Sequence, residues 1–172
     1  NSIAAPTAGL HFDLSHLDIL KSKGIQFTEI TLNIGLGTFK PLKVNKIEDH
    51  VIHKERISVD SIAAETIMKA KNEGRRVIAI GTTVLRCLES VATYFQVIEP
   101  YEGETDLFVY PGYQFKIIDA LLTNFHLPKS SLFLLVSAFG GSERIMSAYV
   151  HAIRNEYRFF SYGDSMFITN DE

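Results

Sequence analysis

The chain has 172 residues, 46% of them apolar, and a formal net charge of −3. This length fits one domain with a hydrophobic core, and the charge excludes a protein that grips nucleic acid by a bulk positive field alone. The single cysteine, Cys87, excludes an internal disulfide and a cysteine metal site. The longest apolar run, residues 132–139, is too short to span a bilayer, so we expect a cytoplasmic protein with no membrane partner.

The N-terminal residues predict a short helix followed by a strand. The stretch SHLDILKSKG begins at Ser15, a possible N-cap, and ends at Gly24, which favours a helix over 15–24. The stretch IQFTEITLNIG, over 25–35, alternates apolar and polar residues as a half-buried strand does.

The middle of the chain predicts an α/β unit. DSIAAETIMKAKNEG has apolar residues at helical spacing, a cap at Asp60 or Ser61, and a terminal Gly74. RRVIAIG predicts a strand buried on both faces, and TTVLRCLESVATYF predicts a second helix directly after it. Helix, buried strand and helix together indicate an α/β sheet with crossover connections.

The last third of the chain predicts a hairpin, a strand, two helices and a final strand. Aromatic-rich runs around Pro111 and Gly112 predict an antiparallel hairpin within 105–119, and ALLTNFHLP predicts a buried strand. SSLFLLVSAF fits a helix better than a strand, and SERIMSAYVHAIRNEY fits an amphipathic helix. We therefore expect a single α/β domain over 1–172, with a mixed, largely parallel sheet, flanking helices and an antiparallel hairpin.

Three loops, GLGTFKP, GTTVLR and TNFHLP, each follow a predicted strand. Ligands of open α/β sheets bind at that edge. Gly81 allows close backbone approach, Thr82 or Thr83 would cap the next helix, and Arg86 could neutralise a carboxylate or phosphate. A capped helix with a solvated arginine explains these residues equally well. GLGTF lacks the third glycine and the helix of a dinucleotide fingerprint, so we reject that function.

His11 and His126 each stand between apolar neighbours. A histidine in such surroundings is more often a packing residue than a catalyst, and both interpretations stay open. Asn124, close to His126, could orient a substrate with its amide. If His126 is catalytic, replacing it with alanine should abolish turnover while the fold survives.

Two charged stretches invite a ligand interpretation. His50 and His53 in DHVIHKE lack a third ligand at a recognised spacing, so we expect no metal there. The densest basic run, which includes the aromatic Phe39, could follow a phosphate backbone; its basic residues are Lys40, Lys43, Lys46, His53, Lys54 and Arg56. Acidic residues within the run make an ordinary solvated face the alternative.

Several longer strings are not built from common turn sequences. They are SIAAPTAGLHF, GLGTFKPL, EDHVIHKE, GTTVLRCLES, the run from LFVYPGYQF to VSAFGG, and AYVHAIRNEYRFFSYGDSMFI. From Ser2 to Ile168, in this order, they resemble the C-terminal half of the S-adenosylmethionine:tRNA ribosyltransferase-isomerase family of queuosine biosynthesis. The family's small β-barrel domain has no counterpart here, so we expect a fragment of a longer two-domain enzyme.

The resemblance implies a transferase and isomerase acting on tRNA. The ribosyl moiety of S-adenosylmethionine would pass to 7-aminomethyl-7-deazaguanine at the wobble position, giving epoxyqueuosine and releasing adenine and methionine. It implies S-adenosylmethionine as co-substrate, no other cofactor, no metal, and a complete enzyme that is a monomer. The chemistry needs a base beside the sulfonium, a proton donor for adenine and an anchor for the methionine carboxylate.

We map these roles onto residues as a hypothesis. The catalytic candidates are His11, His126 and Asp164, whose side chains can exchange protons. The substrate-binding candidates are Thr7, Gly9, Gly37, Thr38, Phe39, Gly81, Thr82, Thr83, Arg86, Asn124 and Tyr162. Among them, Arg86 with the Thr82 and Thr83 amides would hold an anion, and Phe39 or Tyr162 would stack on a base.

Two other functions compete with this one. The chain could bind S-adenosylmethionine or tRNA without catalysis, or it could be a small-molecule α/β enzyme unrelated to tRNA. Release of free adenine from S-adenosylmethionine in the presence of precursor tRNA would distinguish the transferase from both of these alternatives.

Overall fold

The computed structural model describes residues 7–33, 47, 52, 54–161 and 163–169. The described chain opens with a 3₁₀ turn over Thr7–His11. The helices are α1 (Leu14–Ser22), α2 (Ser61–Asn72), α3 (Thr82–Phe95), α4 (Ser131–Gly140) and α5 (Ser142–Arg154). The strands are β1 (Thr31–Asn33), β2 (Glu55–Val59), β3 (Ile78–Ile80), β4 (Tyr101–Thr105), β5 (Ala120–Asn124) and β6 (Ser165–Thr169).

These strands form two three-stranded sheets. One is antiparallel in the order β1-β2-β4, and the other has the order β3-β5-β6. In the second sheet β3 runs parallel to β5, with Ala79 opposite Leu121, while β6 runs antiparallel to β5. The predicted α/β class with a mixed sheet is confirmed, and among the described strands the parallel pairing is that of β3 with β5.

One cluster of buried apolar side chains connects both sheets with the helices. It includes Ile57 of β2, Leu85 of α3, Leu121 of β5 and Phe139 of α4. Burial of one such side chain contributes roughly 1.5–3 kcal/mol, so this shared core holds the loops after β3 and β5 in fixed positions. Within the described residues, no helix has the length and apolar character needed to cross a bilayer.

The predicted helices α2, α3, α4 and α5 are confirmed, and side-chain caps explain where two of them begin. The Asp60 carboxylate accepts the N–H of Ala63 at 2.7 Å before α2, as predicted. The Ser130 hydroxyl accepts the N–H of Phe133 at 3.1 Å before α4. Each cap satisfies an N–H that has no partner inside the helix.

Helix α1 begins one residue before the predicted N-cap, so the prediction at Ser15 is wrong. The N-cap is Asp13, whose carboxylate accepts the N–H of His16 at 2.8 Å. The Ser15 hydroxyl donates to the same carboxylate at 2.7 Å. An aspartate two residues upstream therefore takes the capping position that Ser15 also suits.

Two strand predictions are wrong, the first in the extent of the strand and the second in its burial. Only Thr31–Asn33 pairs in a sheet within the described part of 25–35, and 25–30 has no regular structure. β3 is buried only in part, because it is an edge of its sheet and Ile78 is 38% exposed.

The hairpin predicted within 105–119 is also wrong. Residues 106–119 contain no strand; a turn closes from Tyr110 to Tyr113 around Gly112, and the antiparallel partner of β4 is β2. A buried carboxylate on α3 explains the difference. Glu89 accepts the backbone N–H groups of residues 116–118 at 2.9 to 3.0 Å, so those amides bind a side chain instead of a neighbouring strand.

Candidate active site

The loops after β3 and β5 meet at one edge of the mixed sheet, because the two strands are parallel. The Gly81 N–H donates to the carbonyl of Leu122 at 2.8 Å and extends the ladder one residue past β3. Asn124 is the last residue of β5. The predicted proximity of GTTVLR and TNFHLP is therefore confirmed.

Gly81 has a backbone conformation that favours glycine. Its φ is 99°, where a side chain would be strained, and a Cβ there would lie 3.5 Å from the Cβ of Ala8. Gly81 is itself the N-cap of α3, and no side chain makes a capping hydrogen bond. The prediction that Thr82 or Thr83 caps α3 is therefore wrong, and a role for their amides in anion binding stays a prediction.

The 3₁₀ turn brings His11 onto the end of β5. Its Nε2 lies 3.0 Å from Nδ2 of Asn124, a side chain that is only 4% exposed. The same Nδ2 donates to the carbonyl of Phe160 at 3.1 Å. Sequence motifs 113 residues apart thus form one hydrogen-bonded group.

These hydrogen bonds are compatible with one tautomer of His11. A carbonyl only accepts, so the Phe160 oxygen directs the NH₂ group of Asn124, and not its oxygen, toward both partners. Nε2 of His11 must then accept the second N–H, which leaves the ring proton on Nδ1. His11 in this arrangement is a neutral imidazole that offers Nδ1–H as a donor.

A loop from the chain's C-terminal part places Asp164 near His11. The Asp164 carboxylate accepts the N–H of Arg158 at 2.7 Å, and the Asp164 N–H donates to the Arg158 carbonyl at 2.7 Å. The backbone hydrogen bond from Arg158 lowers the pKa of Asp164, and the Arg158 guanidinium lowers it further. Asp164 is therefore ionised at neutral pH. We call His11, Asn124 and Asp164 the edge cluster.

Glycine is required at Gly163 for this loop to close. A Cβ at that position would overlap the carbonyl of Arg158 and the backbone of Phe159. The Phe160 N–H donates to the carbonyl of Phe125 at 3.0 Å, which ties the loop to the segment after β5. The contributions of Gly163 and of the Phe160 carbonyl were not predicted; the glycine just before Asp164 is the signal that indicates a tight turn.

His126 lies in a different environment from His11. Its Nε2 is 3.1 Å from the Thr123 hydroxyl, and its backbone N–H donates to the Tyr149 hydroxyl at 2.8 Å. Thr123 and Asn124 face opposite sides of the sheet, because successive strand residues alternate. His126, which contacts Thr123, and His11, which contacts Asn124, are therefore on opposite sides of β5. Burial lowers the pKa of His126 to about 4, which keeps it neutral, and these contacts favour the packing interpretation.

Arg86 is buried, so the interpretation as a solvated arginine is wrong. It is 4% exposed and forms an ion pair with Glu55 of β2, which is equally buried. Burial lowers the pKa of Arg86 to about 10, and it stays charged at neutral pH. The ion pair directs the guanidinium toward the antiparallel sheet, and its role as a substrate anchor stays a prediction.

The remaining candidates are placed as follows. Thr7 and Gly9 lie in the same 3₁₀ turn as His11. Gly37, Thr38, Phe39 and Tyr162, as well as His50, His53 and most of the basic run, lie outside the described residues. In the part of the chain that is described, no group of three or more His, Cys, Asp or Glu side chains could hold a metal ion.

The edge cluster combines a neutral donor with an anion at an accessible edge. His11 and Asp164 are partly exposed, while the amide between His11 and the loop is buried. Such a group can hydrogen-bond an acceptor atom of a ligand through Nδ1–H and place a carboxylate beside it. It has the polarity needed to orient a heterocycle or to remove a proton next to a cationic centre.

The family comparison covers almost the whole chain. Residues 1–168 match the family model described as queuosine biosynthesis protein. The S-adenosylmethionine:tRNA ribosyltransferase-isomerase of Carboxydothermus hydrogenoformans is 58% identical over 167 residues, which are 97% of this chain and 49% of that relative. The chain thus spans about half the length of this curated relative.

A solved structure shows the same fold. It is the crystal structure of S-adenosylmethionine tRNA ribosyltransferase from Thermotoga maritima, with a TM-score of 0.75 and 39% sequence identity. The match covers 94% of this chain and 51% of that one.

Proposed function

The chain belongs to the queuosine biosynthesis protein family, and on that premise we propose that it carries part of the active site of an S-adenosylmethionine:tRNA ribosyltransferase-isomerase. The observation that carries the proposal is the 58% identity with a relative of that name over 97% of the chain. The substrates are S-adenosylmethionine and a tRNA carrying 7-aminomethyl-7-deazaguanine. The products are epoxyqueuosine in tRNA, adenine and methionine, with no further cofactor.

The proposed reaction has three requirements that residues of the site must meet. A proton leaves the carbon beside the sulfonium, adenine departs with a proton, and the methionine carboxylate is held. The sulfonium itself acidifies the adjacent carbon, so a carboxylate can act as the base. We assign that role to Asp164, which is ionised at neutral pH and belongs to the loop whose Phe160 carbonyl binds Asn124.

We assign His11 a hydrogen-bonding role toward the substrate. Its Nε2 is occupied by the Asn124 amide, so neither that nitrogen nor a doubly protonated ring suits proton exchange in this arrangement. Nδ1–H remains as a donor, and a ring nitrogen of adenine or a carboxylate oxygen of methionine is a suitable acceptor. Asn124 is then a positioning residue, because it fixes the tautomer of His11.

Adenine release by two His11 variants tests this assignment. His11→Ala removes the donor, and we expect kcat/KM to fall about ten- to a hundredfold. The amide of asparagine can occupy the place of Nδ1, so His11→Asn should recover most of the activity. His151→Asn, at an exposed histidine of α5, is the matched control and should behave as the wild type.

Two outcomes would contradict this assignment. If His11→Asn is as inactive as His11→Ala, the hydrogen-bonding role assigned to Nδ1–H of His11 is wrong. If His11→Ala turns over like the His151→Asn control, His11 is not part of the site.

A binding module without catalysis is the second candidate function for these 172 residues, which span about half of the curated relative. The 172-residue chain, mixed with S-adenosylmethionine and precursor tRNA, should release adenine if it holds a working site. Calorimetric binding of S-adenosylmethionine without adenine release would support the binding module instead.

A further inference from the structure

A groove between α1 and α2 lies outside the edge cluster. It has a volume of about 390 Å³ and is lined by Lys21, Ile25, Gln26, Phe27, Thr66 and Lys69. Gly24, with a φ of 82°, turns the chain at the end of α1 so that residues 25–27 run alongside α2. We call it the α1–α2 groove.

A residue that follows α2 holds the Gln26 side of the groove in place. The Arg75 guanidinium donates to the side-chain oxygen of Gln26 at 3.0 Å. The Arg75 N–H in turn donates to the carbonyl of Ala70 at 2.8 Å, which fixes the turn after α2. A third cation therefore borders the groove beside the two lysines that line it.

The charge of this surface is opposite to that of the chain. Residues 21–27 and 69–76 contain six Lys and Arg side chains and one carboxylate, Glu73, a net charge of +5. The whole chain has a net charge of −3. Glu73 pairs with Arg75 at 2.8 Å and with Lys69 at 3.9 Å, and Asp119 pairs with Lys71 at 2.9 Å. Glu29 and Glu65 lie outside these two segments and do not line the groove.

The groove also offers an apolar surface beside its cations. Ile25 is 42% exposed and Phe27 is 40% exposed. Cations that alternate with an exposed aromatic ring are the combination that binds the phosphates and unstacked bases of single-stranded RNA. A phosphate-free apolar partner would cover the Lys21 and Lys69 ammonium groups without offering an acceptor to either.

The position of the groove fits a substrate that also reaches the edge cluster. Helix α1 has nine residues; His11 precedes its first turn and Lys21 lies in its last. At 1.5 Å per residue, the nine residues span about 13 Å along the helix. A polynucleotide can span that length.

We propose that the α1–α2 groove is a docking surface for the tRNA backbone, with Lys21 and Lys69 on phosphates and Phe27 stacked on an unpaired base. The proposal rests on the proposed function for its choice of tRNA as the polyanion. It places an RNA contact on a surface separate from the edge cluster.

Charge reversal at the groove tests the proposal. In the Lys21→Glu/Lys69→Glu double variant, we expect tRNA to bind at least tenfold more weakly in 0.1 M salt. The slope of log K against log salt should fall in magnitude by about 2, since each lost phosphate contact removes about 0.9. Binding of S-adenosylmethionine should be unchanged.

The matched control is Lys116→Glu/Arg154→Glu. It reverses the same number of charges at exposed residues, and Arg154, like Lys21 and Lys69, is near the end of its helix. The control should bind tRNA as the wild type does. Phe27→Ala should weaken tRNA binding about tenfold without changing the salt slope, because stacking releases no counterions.

Equal tRNA binding by the reversal variant and its control overturns the proposal. A change in sedimentation of the reversal variant with unchanged tRNA binding would also overturn it, since the groove would then be a contact between polypeptides. Salt-dependent loss of tRNA binding without adenine release from the wild type would support the groove and refute the proposed function. Adenine release with an unaffected reversal variant would do the opposite.

Discussion

Helix α3 and the edge cluster both carry polar side chains, but their partners differ. On α3, Glu89 is fully buried and accepts three backbone N–H groups and the Tyr113 hydroxyl, and Arg86 is paired with Glu55. In the edge cluster, a neutral amide contacts a neutral imidazole, and Asp164 binds one backbone N–H in a partly exposed loop.

The difference shows that the buried charged side chains of this chain hold elements together, whereas the partly exposed polar side chains remain accessible to a ligand. A buried charge has a high desolvation cost, so it persists only where the protein's own groups compensate it. The charges on α3 are used to join β2 and the 106–119 segment to the helix. The charged side chain of the edge cluster, Asp164, is partly exposed, so its desolvation cost is smaller. The His11 donor and the Asp164 carboxylate therefore stay accessible to a ligand.

The largest expected effect is on stability, at Glu89. Glu89→Gln should lower the free energy of unfolding by about 3–5 kcal/mol, because one amide oxygen cannot serve all the donors and the amide N–H₂ faces backbone N–H groups. Chemical denaturation measures the change. Glu65→Gln, at an exposed residue of α2, is the control and should change it by less than about 0.5 kcal/mol.

An equal midpoint for the two variants would show that the carboxylate does not hold residues 116–118. The contrast between α3 and the edge cluster would then lose its main support.

The buried ion pair should give the next largest effect. Arg86→Met leaves Glu55 charged in the core, and we expect a loss of about 3 kcal/mol. Adding Glu55→Gln removes the uncompensated charge, so the double variant should be more stable than the sum of the single variants predicts. Unfolding of all four proteins completes the cycle. Strict additivity would contradict a direct ion pair.

A smaller, pH-dependent effect should distinguish His126 from the edge cluster. The pKa of His126 is about 4 in the folded protein and near 6.5 when unfolded. Between these values only the unfolded state takes up the proton, so stability falls as the pH drops. From pH 7.5 to pH 5 this amounts to about 2 kcal/mol.

His126→Gln should show a shallower loss of stability over that range, measured by unfolding at both pH values, and should keep adenine release within a few-fold of the wild type. The same pH dependence in variant and wild type would show that His126 does not titrate this way. Complete loss of adenine release in a folded variant would favour the catalytic interpretation.

The smallest effect on stability is expected at Asp164. Asp164→Asn keeps an acceptor for the Arg158 N–H and removes a charge that is screened by solvent, so the melting temperature should stay within about 2 °C. Adenine release should nevertheless fall at least a hundredfold if Asp164 is the base. Turnover at the wild-type rate would remove Asp164 from the edge cluster's proposed chemistry.

Local patterns predicted helices α2 to α5 and strand β5 well, because their apolar spacing, and for α2 and α4 their caps, lie within short stretches of sequence. Asp60 before α2 and Ser130 before α4 are signals contained in a few consecutive residues. The hairpin failed for the opposite reason. Its amides bind Glu89, which is 27 to 29 residues away, and no local pattern indicates that contact.

The sequence also predicted part of the candidate site. His11, Asn124, Gly81 and Asp164 were named as candidates, and the fold brings His11 to Asn124 and places the charge of Asp164 near it. Their roles stay predictions. The hydrogen-bond partners of Arg86 and His126 could not be predicted, because burial of a polar side chain depends on which strand or helix packs over it.

By itself, the sequence determined the α/β class, the family, the positions of the helices and a short set of polar candidates, since these follow from spacing, caps and long motifs. Only the tertiary structure decided which candidates share a site, which tautomer His11 adopts and which charges are buried. Those properties depend on contacts between residues far apart in the chain, such as Asn124 with both His11 and the Phe160 carbonyl. Hydrogen bonds act over about 3 Å in space, and sequence distance carries no information about them.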